Sequence, residues 1–175
     1  LIEAPHAIRL LVDGGGFYGS NFDTGRSVIG PFLLAKKIVT LDYVINTHPH
    51  QDHLVGLQHV LQYFKMWNFA SGPGGLEPGE IRNTLNARKV PASTVQAGDA
   101  LYIGGTDVRI LVSIFLVLIE YKQLLARFGI TNGDLSFLLT GDAGEDIERS
   151  IIMRGIDVRS SVLKVPHHGS RLHGW

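Results

Sequence analysis

Apolar residues along the chain come in short runs, and most runs are closed by glycine or polar turn residues. Ile8 to Val12 is one such run; it stops at Asp13-Gly14-Gly15-Gly16, the pattern of a buried strand that ends in a tight turn. Ser27 to Ile38 has helical spacing, with Thr24 or Ser27 as its candidate cap, Pro31 near its start and Lys36 and Lys37 in its last turn. Leu41 to Asn46 reads as the next strand and runs straight into a histidine cluster. Leu54, Leu57, Leu61 and Phe64 then keep a helical period. Ser71 to Gly79 is rich in glycine and proline and reads as a surface loop. Beyond it, Val90–Val95, Leu101–Ile103, Val108–Val112, Phe115–Tyr121 and Leu135–Thr140 have strand character, separated mostly by turn signals at Gly98-Asp99, Gly104-Gly105 and Asn132-Gly133-Asp134. Ala143 to Arg154 predicts a helix with Glu145 and Asp146 in its first turn, and Val162 to Val165 a last strand stopped by Pro166. One junction lacks turn chemistry: at Ser113-Ile114 either a long strand bulges or a loop is missing. The order of elements predicts a sheet-based α/β domain.

Composition narrows the classes. With 175 residues and 45% hydrophobic content, the chain is expected to be one domain with a real core. The 16 Lys and Arg balance the 16 Asp and Glu, which argues against a broad electrostatic footprint for nucleic acid or anionic lipid and leaves room for a local basic patch. The absence of cysteine removes a disulfide framework and any all-cysteine zinc site. The most apolar run, Ile110 to Ile119 with Ser113 inside it, is well short of the roughly 20 residues of a membrane-spanning helix. The sequence begins at Leu1 without an initiator Met and stops soon after Gly169-Ser170, as a trimmed domain would.

The chemistry concentrates in Thr47-His48-Pro49-His50-Gln51-Asp52-His53. In extended backbone, residues two apart point to one side, so His48 and His50 are expected to face one point together. Asp52 and His53 begin the turn into the helix and are expected to face a neighbouring point. Imidazole nitrogen and carboxylate oxygen suit Zn²⁺, and also Mn²⁺ or Fe²⁺; two such centres lie roughly 3.5–4 Å apart in two-metal hydrolases. An isolated histidine at a helix start is usually a polar surface residue, but three histidines and an aspartate packed behind an apolar strand are not explained that way. Asp142, at the end of Leu138-Leu139-Thr140-Gly141-Asp142, could bridge two metals or cap the next helix; beside the histidine cluster the bridge is favoured. Val165-Pro166-His167-His168-Gly169 brings two further histidines to a strand end, at least one of them a candidate ligand. Asp13 is either an Asx turn or a carboxylate that orients a metal-bound histidine, and the second role is favoured. His6, His59 and His173 stand outside these groups.

Together these residues resemble the metallo-β-lactamase superfamily: the cluster matches its H-x-H-x-D-H signature, and Leu11-Val12-Asp13-Gly14-Gly15 and Leu139-Thr140-Gly141-Asp142 match two further blocks. Leu1-Ile2-Glu3-Ala4-Pro5, Phe22-Asp23-Thr24-Gly25, Phe137 to Ala143 and Val162 to Ser170 look more specifically like the C-terminal hydrolase domain of ComEC-type DNA-uptake competence proteins. The resemblance covers almost the whole chain. It implies a single domain over residues 1–175, an αββα sandwich trimmed at both ends, and one or two divalent metals, Zn or Mn, with no small organic cofactor. The implied metal ligands are His48, His50, Asp52, His53, Asp142, His167 and His168. It also implies a soluble domain on the extracytoplasmic face of a bacterial inner-membrane protein, attached to a membrane channel, with single-stranded DNA as substrate. This sequence departs from the superfamily pattern in having no histidine between His59 and Asp142, so a single-metal centre is an open alternative.

The expected reaction is metal-assisted phosphodiester hydrolysis, with Asp52 or Asp142 orienting the nucleophile and Lys164, Ser170 and Arg171 holding phosphate oxygens. Arg159, Lys122 and Arg127 extend the candidate basic rim, and Tyr18, Phe22 and Trp67 are candidate stacking residues in loops. The rival readings are a small-substrate phosphodiesterase like the choline-phosphate esterases of cell walls, another metallo-hydrolase acting on an amide, lactone or thioester, and a nucleic-acid-binding module with a degenerate metal site.

Overall fold

The computed structural model describes residues 1–17, 19–77, 79–103, 106–113, 126–132 and 135–169. The expected strand Phe115–Tyr121, the Gly104-Gly105 turn, and Tyr18, Lys122, Ser170, Arg171 and His173 lie outside the described residues, as do the side chains of Arg127, His167 and His168. The chain divides into two compact units, Leu1–Thr94 and Val95–Trp175.

The first unit holds a five-stranded sheet in sequence order: β1 (Ile2–Ala4), β2 (Ile8–Val12), β3 (Thr40–Asn46), β4 (Lys65–Ser71) and β5 (Ala92–Thr94). β1 pairs antiparallel with β2, and every later pair is parallel. Parallel neighbours need crossovers, which are α1 (Gly30–Ala35), α2 (Gln51–Tyr63) and α3 (Glu80–Arg88). The row Leu11–Val44–Phe69 runs across three paired strands into a core shared with Leu33 of α1, Leu57, Val60 and Leu61 of α2, and Ile81 and Leu85 of α3. On α2 the buried positions are His53, Gly56, Leu57, Val60 and Leu61, so His53 is the polar head of the face that otherwise makes the core.

The helix expected over Ser27–Ile38 starts earlier and ends earlier. A π-type turn over Gly25–Ile29 leads into α1. The helix stops where Lys37 turns left-handed (φ 58°), which lets Ile38 N–H donate back to Leu33 O at 2.8 Å and places Ile38 fully in the core. Neither expected cap operates: Ser27 lies inside the π-type turn, and the Thr24 hydroxyl donates to Gly14 O at 2.9 Å. β1, β4 and α3 had no counterpart among the expected elements. Ser71, expected as the start of a loop, ends β4, and Trp67, expected in a loop, lies within β4.

The second unit is a sheet ordered β10-β9-β8-β7-β6, from β6 (Ala100–Ile103), β7 (Thr106–Ser113), β8 (Ala126–Asn132), β9 (Leu135–Leu139) and β10 (Val162–Lys164). The first four strands form an antiparallel meander. α4 (Glu145–Met153) connects β9 to β10, which pairs parallel to it. β8 was not among the expected strands. β7 bulges against β8 between Ile110 and Val112, just before the Ser113-Ile114 junction. No helix among the described residues is long and apolar enough to cross a membrane.

The loop that leaves β2 lies directly on α2. A Cβ on Gly56 would stand 1.9 Å from Gly14 O, and one on Gly14 would stand 2.3 Å from Leu57 N. Alanine inside a helix normally gains about 1 kcal/mol over glycine. At Gly56 the obstacle is backbone, so Gly56→Ala should instead destabilise by about 1–3 kcal/mol, measured as a lowered urea midpoint with an unchanged denaturant slope. A stabilised variant would contradict the close contact.

Candidate metal centre

Three chain segments of the first unit converge on one buried polar cluster. β3 delivers Thr47 and His48 just past its end, the first turn of α2 delivers Asp52 and His53, and the end of β2 delivers Asp13. Thr47, His48 and His53 are 1%, 0% and 2% exposed, so each polar group here must be satisfied from within the protein or by a ligand.

Asp13 organises the cluster. Its backbone is left-handed (φ 56°), and its N–H donates to Ile45 O at 2.9 Å, prolonging the β2–β3 ladder by one residue. Its carboxylate then turns toward the end of β3. Oδ1 accepts from Thr47 N at 2.8 Å, while Oδ2 lies 2.8 Å from Thr47 Oγ1 and 2.8 Å from His53 Nδ1. Thr47 Oγ1 is also 3.0 Å from His48 Nδ1. Gly14 N–H donates to His53 O at 2.7 Å, so the same loop holds both the backbone and the ring of His53.

His48, Asp52 and His53 each offer a ligand atom, and these atoms lie within 4.8 Å of one another. Asp52 Oδ2 stands 3.7 Å from His53 Nε2. The other carboxylate oxygen, Oδ1, is buried and accepts no hydrogen bond among the described residues. A buried carboxylate oxygen without a donor costs about 1–3 kcal/mol or more. A divalent cation removes that cost, and two imidazoles with a carboxylate form the donor set that suits Zn²⁺ or Mn²⁺. The residues present fit a metal.

The grouping differs from the expected one. β3 ends at Asn46, where the strand was expected to end, but Thr47 and Pro49 lie in bends, so the two-residue alternation that was to aim His48 and His50 together is not kept. His50 instead precedes α2 as its N-terminal boundary residue (φ −71°, ψ 151°), with its ring 4.6 Å from that of His48 and tilted 73° to it. The ring of His53 is nearer to His48, at 3.9 Å. Thr47, which sequence reading did not single out, connects Asp13 to His48; its place directly before the first histidine of the signature was the available signal.

In the second unit, Asp142 follows Gly141 (φ 54°) just beyond β9 and is 4% exposed. The N-terminal boundary residue of α4 is Gly144, two positions beyond Asp142. The backbone of His167 and His168 forms a short 3₁₀ turn over Pro166–Gly169 after β10. Thr140 Oγ1 donates to Lys164 O at 2.6 Å and ties the ends of β9 and β10 together, while Lys164 itself is exposed.

The candidate substrate contacts are uneven. Arg159 is engaged by Asp157 through its backbone N–H at 3.0 Å and its Nε at 2.9 Å, and this guanidinium holds the Asp157 carboxyl down at about 2. Trp67 is exposed, with Lys65 Nζ 4.0 Å from its ring centre. Phe22 is exposed and meets Phe17 edge to face at 5.8 Å.

A family model described as the metallo-beta-lactamase superfamily matches residues 6–172. ComE operon protein 3 of Bacillus subtilis (strain 168) is 29% identical over 97% of the chain, which spans 24% of that protein's length. Among solved structures, MEM-A1, a subclass B3 metallo-beta-lactamase from a soil metagenome library, aligns with 88% of this chain and 67% of its own at a TM-score of 0.60 and 13% identity. A mutant of the β-hydroxylase CmlA, from Streptomyces venezuelae, aligns with 90% of this chain and 31% of its own at a TM-score of 0.59 and 18% identity. At these identities the two structures establish the fold.

Asp52→Asn should separate metal binding from folding. Removing the charge of a carboxylate whose buried oxygen has no donor among the described residues should raise the urea midpoint of metal-free protein by the equivalent of about 1 kcal/mol. Zinc affinity, read by competition with a chromophoric chelator, should fall at least about tenfold. A variant that loses stability without metal and keeps its zinc affinity would overturn the assignment of Asp52.

Proposed function

Since the chain belongs to the metallo-β-lactamase superfamily, a superfamily of metal-dependent hydrolases, we propose that it hydrolyses phosphodiester bonds in DNA. The observation that carries the metal chemistry is the largely buried His48–Asp52–His53 group, with its ligand atoms within 4.8 Å of one another and a carboxylate oxygen that accepts no hydrogen bond among the described residues. The choice of DNA rests on the likeness to ComE operon protein 3 along 97% of the chain, together with the resemblance of Val162 to Ser170 to ComEC-type domains. In this reading the chain is the hydrolase part of a longer bacterial inner-membrane protein. It acts on the extracytoplasmic face, beside a membrane channel that takes up single-stranded DNA.

His48, His50, Asp52 and His53 are the proposed ligands, with Asp142 and at least one of His167 and His168 as further members of the set. When bound there, one or two divalent cations, Zn²⁺ or Mn²⁺, supply positive charge that makes hydroxide available near neutral pH and offsets charge developing on a phosphoryl oxygen. Asp52 or Asp142 orients the attacking water through a carboxylate oxygen. Asp13 keeps the ring of His53 in place from behind. Lys164, Ser170 and Arg171 hold phosphate oxygens, Arg171 through two parallel hydrogen bonds.

His50→Ala and Asp52→Ala should each abolish cleavage of labelled single-stranded DNA in the presence of Mn²⁺ or Zn²⁺, while circular dichroism shows a retained fold. Activity should drop steeply as salt rises, because non-specific binding releases counterions from phosphates, and Arg171→Ala should reduce the log–log slope by about one. A metal-loaded protein that turns over a small phosphodiester yet leaves single strands intact at low salt would move the assignment to the small-substrate phosphodiesterase. Turnover of a β-lactam alone would move it to another metallo-hydrolase.

A further inference from the structure

We propose that Thr47 is a positioning residue that passes the influence of one carboxylate, Asp13, to a second histidine, fixing the proton of His48 on Nδ1 so that His48 and His53 both turn Nε2 toward the metal. The inference rests on the reading of His48 and His53 as ligands and adds how their protonation pattern is set.

The protons can be assigned one at a time. Asp13 as a carboxylate only accepts hydrogen bonds. Its Oδ2 lies 2.8 Å from Thr47 Oγ1, so the single hydroxyl proton of Thr47 points at Asp13. With that proton committed, Thr47 Oγ1 can only accept from the two imidazole nitrogens beside it, His48 Nδ1 at 3.0 Å and the more distant His53 Nδ1 at 3.4 Å, so His48 Nδ1 must carry the ring proton of neutral His48. His53 needs no relay, because its Nδ1 lies 2.8 Å from Asp13 Oδ2 itself. In both rings the lone pair falls on Nε2, and on His53 that atom is the one 3.7 Å from Asp52 Oδ2. Two acceptors facing each other at that distance repel until a cation lies between them.

Burial makes the device effective. Thr47 is 1% exposed and His48 0% exposed, so water does not compete for the Nδ1 proton. Thr47 N–H also donates to Asp13 Oδ1 at 2.8 Å, which locks the threonine backbone to the carboxylate its hydroxyl serves. A bare neutral imidazole has two tautomers, and only one of them offers Nε2. Removing the acceptor at Nδ1 therefore lowers the share of rings ready to bind.

The test reads tautomers, not turnover, so a chain that cuts no phosphodiester would still decide it. Two-bond proton–nitrogen spectra of ¹⁵N-histidine protein, metal-free at mildly alkaline pH and again with zinc, should show Nδ1–H on both His48 and His53. Thr47→Val keeps the shape of the side chain and removes the hydroxyl. It should take His48 out of the pure Nδ1–H pattern in the metal-free protein, leave His53 unchanged, and weaken zinc binding about tenfold. Thr47→Ser should restore both readings. A proton on Nε2 of His48 in the unmodified protein, or an unchanged His48 in Thr47→Val, would overturn the proposal. If Thr47→Val does not fold, the spectrum of the unmodified protein and that of Thr47→Ser decide alone.

Discussion

The carboxylate of Asp13 is the constraint on which the candidate centre depends. Three separate stretches of chain, the end of β2, the exit of β3 and the first turn of α2, meet through its two oxygens. The residue sits in the left-handed region at φ 56°, which costs a non-glycine residue about 1–2 kcal/mol and is tolerated best by Asp and Asn. Hydrogen bonds to a charged group contribute about 1.5–3 kcal/mol each, so three of them more than offset that strain. The backbone has to turn at this residue for the carboxylate to reach Thr47 and His53. An extended Asp13 would continue β2 and point its side chain elsewhere.

Seating α2 is the second half of the same arrangement. Gly14 N–H donates to His53 O, and Gly56 N–H donates to Gly15 O at 3.0 Å. The Gly14 amide is thereby committed to the helix. Glycine is required because the contact is backbone against backbone, with no room for a Cβ at Gly14, Gly16 or Gly56. The consequence reaches the centre directly, since Asp52 and His53 ride on the turn of α2 that this loop holds. Bound metal and the packing of Gly14 on Gly56 stabilise the same geometry, so a ligand that binds only the folded centre raises the stability of the whole first unit.

What could be read from the sequence tracks how strongly local patterning and tertiary structure agree. β2, β3 and α2 were legible because apolar runs or a helical period stop at sharp chemical boundaries. α3 was not: in Glu-Ile-Arg-Asn-Thr-Leu-Asn-Ala-Arg only Ile81 and Leu85 are buried, one turn apart, and nothing else on the segment marks a face. β4 mixes Lys65, Trp67 and Asn68 into a strand held in the sheet by its neighbours, which is tertiary context overriding a weak local signal. β8 carries Gly129 at mid-strand, a residue that weakens a strand pattern, and was hidden for that reason. In the centre, residue types in tight spacing were enough to mark His48, Asp52 and His53. Which of them group together was not legible, because it depends on the bends at Thr47 and Pro49 that follow the correctly placed end of β3. Thr47 was overlooked for a related reason: its role comes from being 2.8 Å from Asp13, a residue 34 positions away.

The fold by itself does not select a reaction, as its presence in both a β-lactamase and a β-hydroxylase shows. Selection has to come from the donor set and from the charge around it, and here the two are unequal. The chain has no net charge, and Arg159 is already paired with Asp157. A long polyanion held mainly by surface cations needs several unpaired ones along its path. A phosphodiester held at a dipositive centre needs only its reacting phosphate and one or two neighbours to be neutralised. Under the proposed function, the reacting phosphate would be held by the metal together with one or two neighbouring cations. Such a centre recognises the phosphodiester itself and is indifferent to the bases on either side. Under the proposed function, that property would suit a strand of arbitrary sequence delivered by other parts of a longer protein.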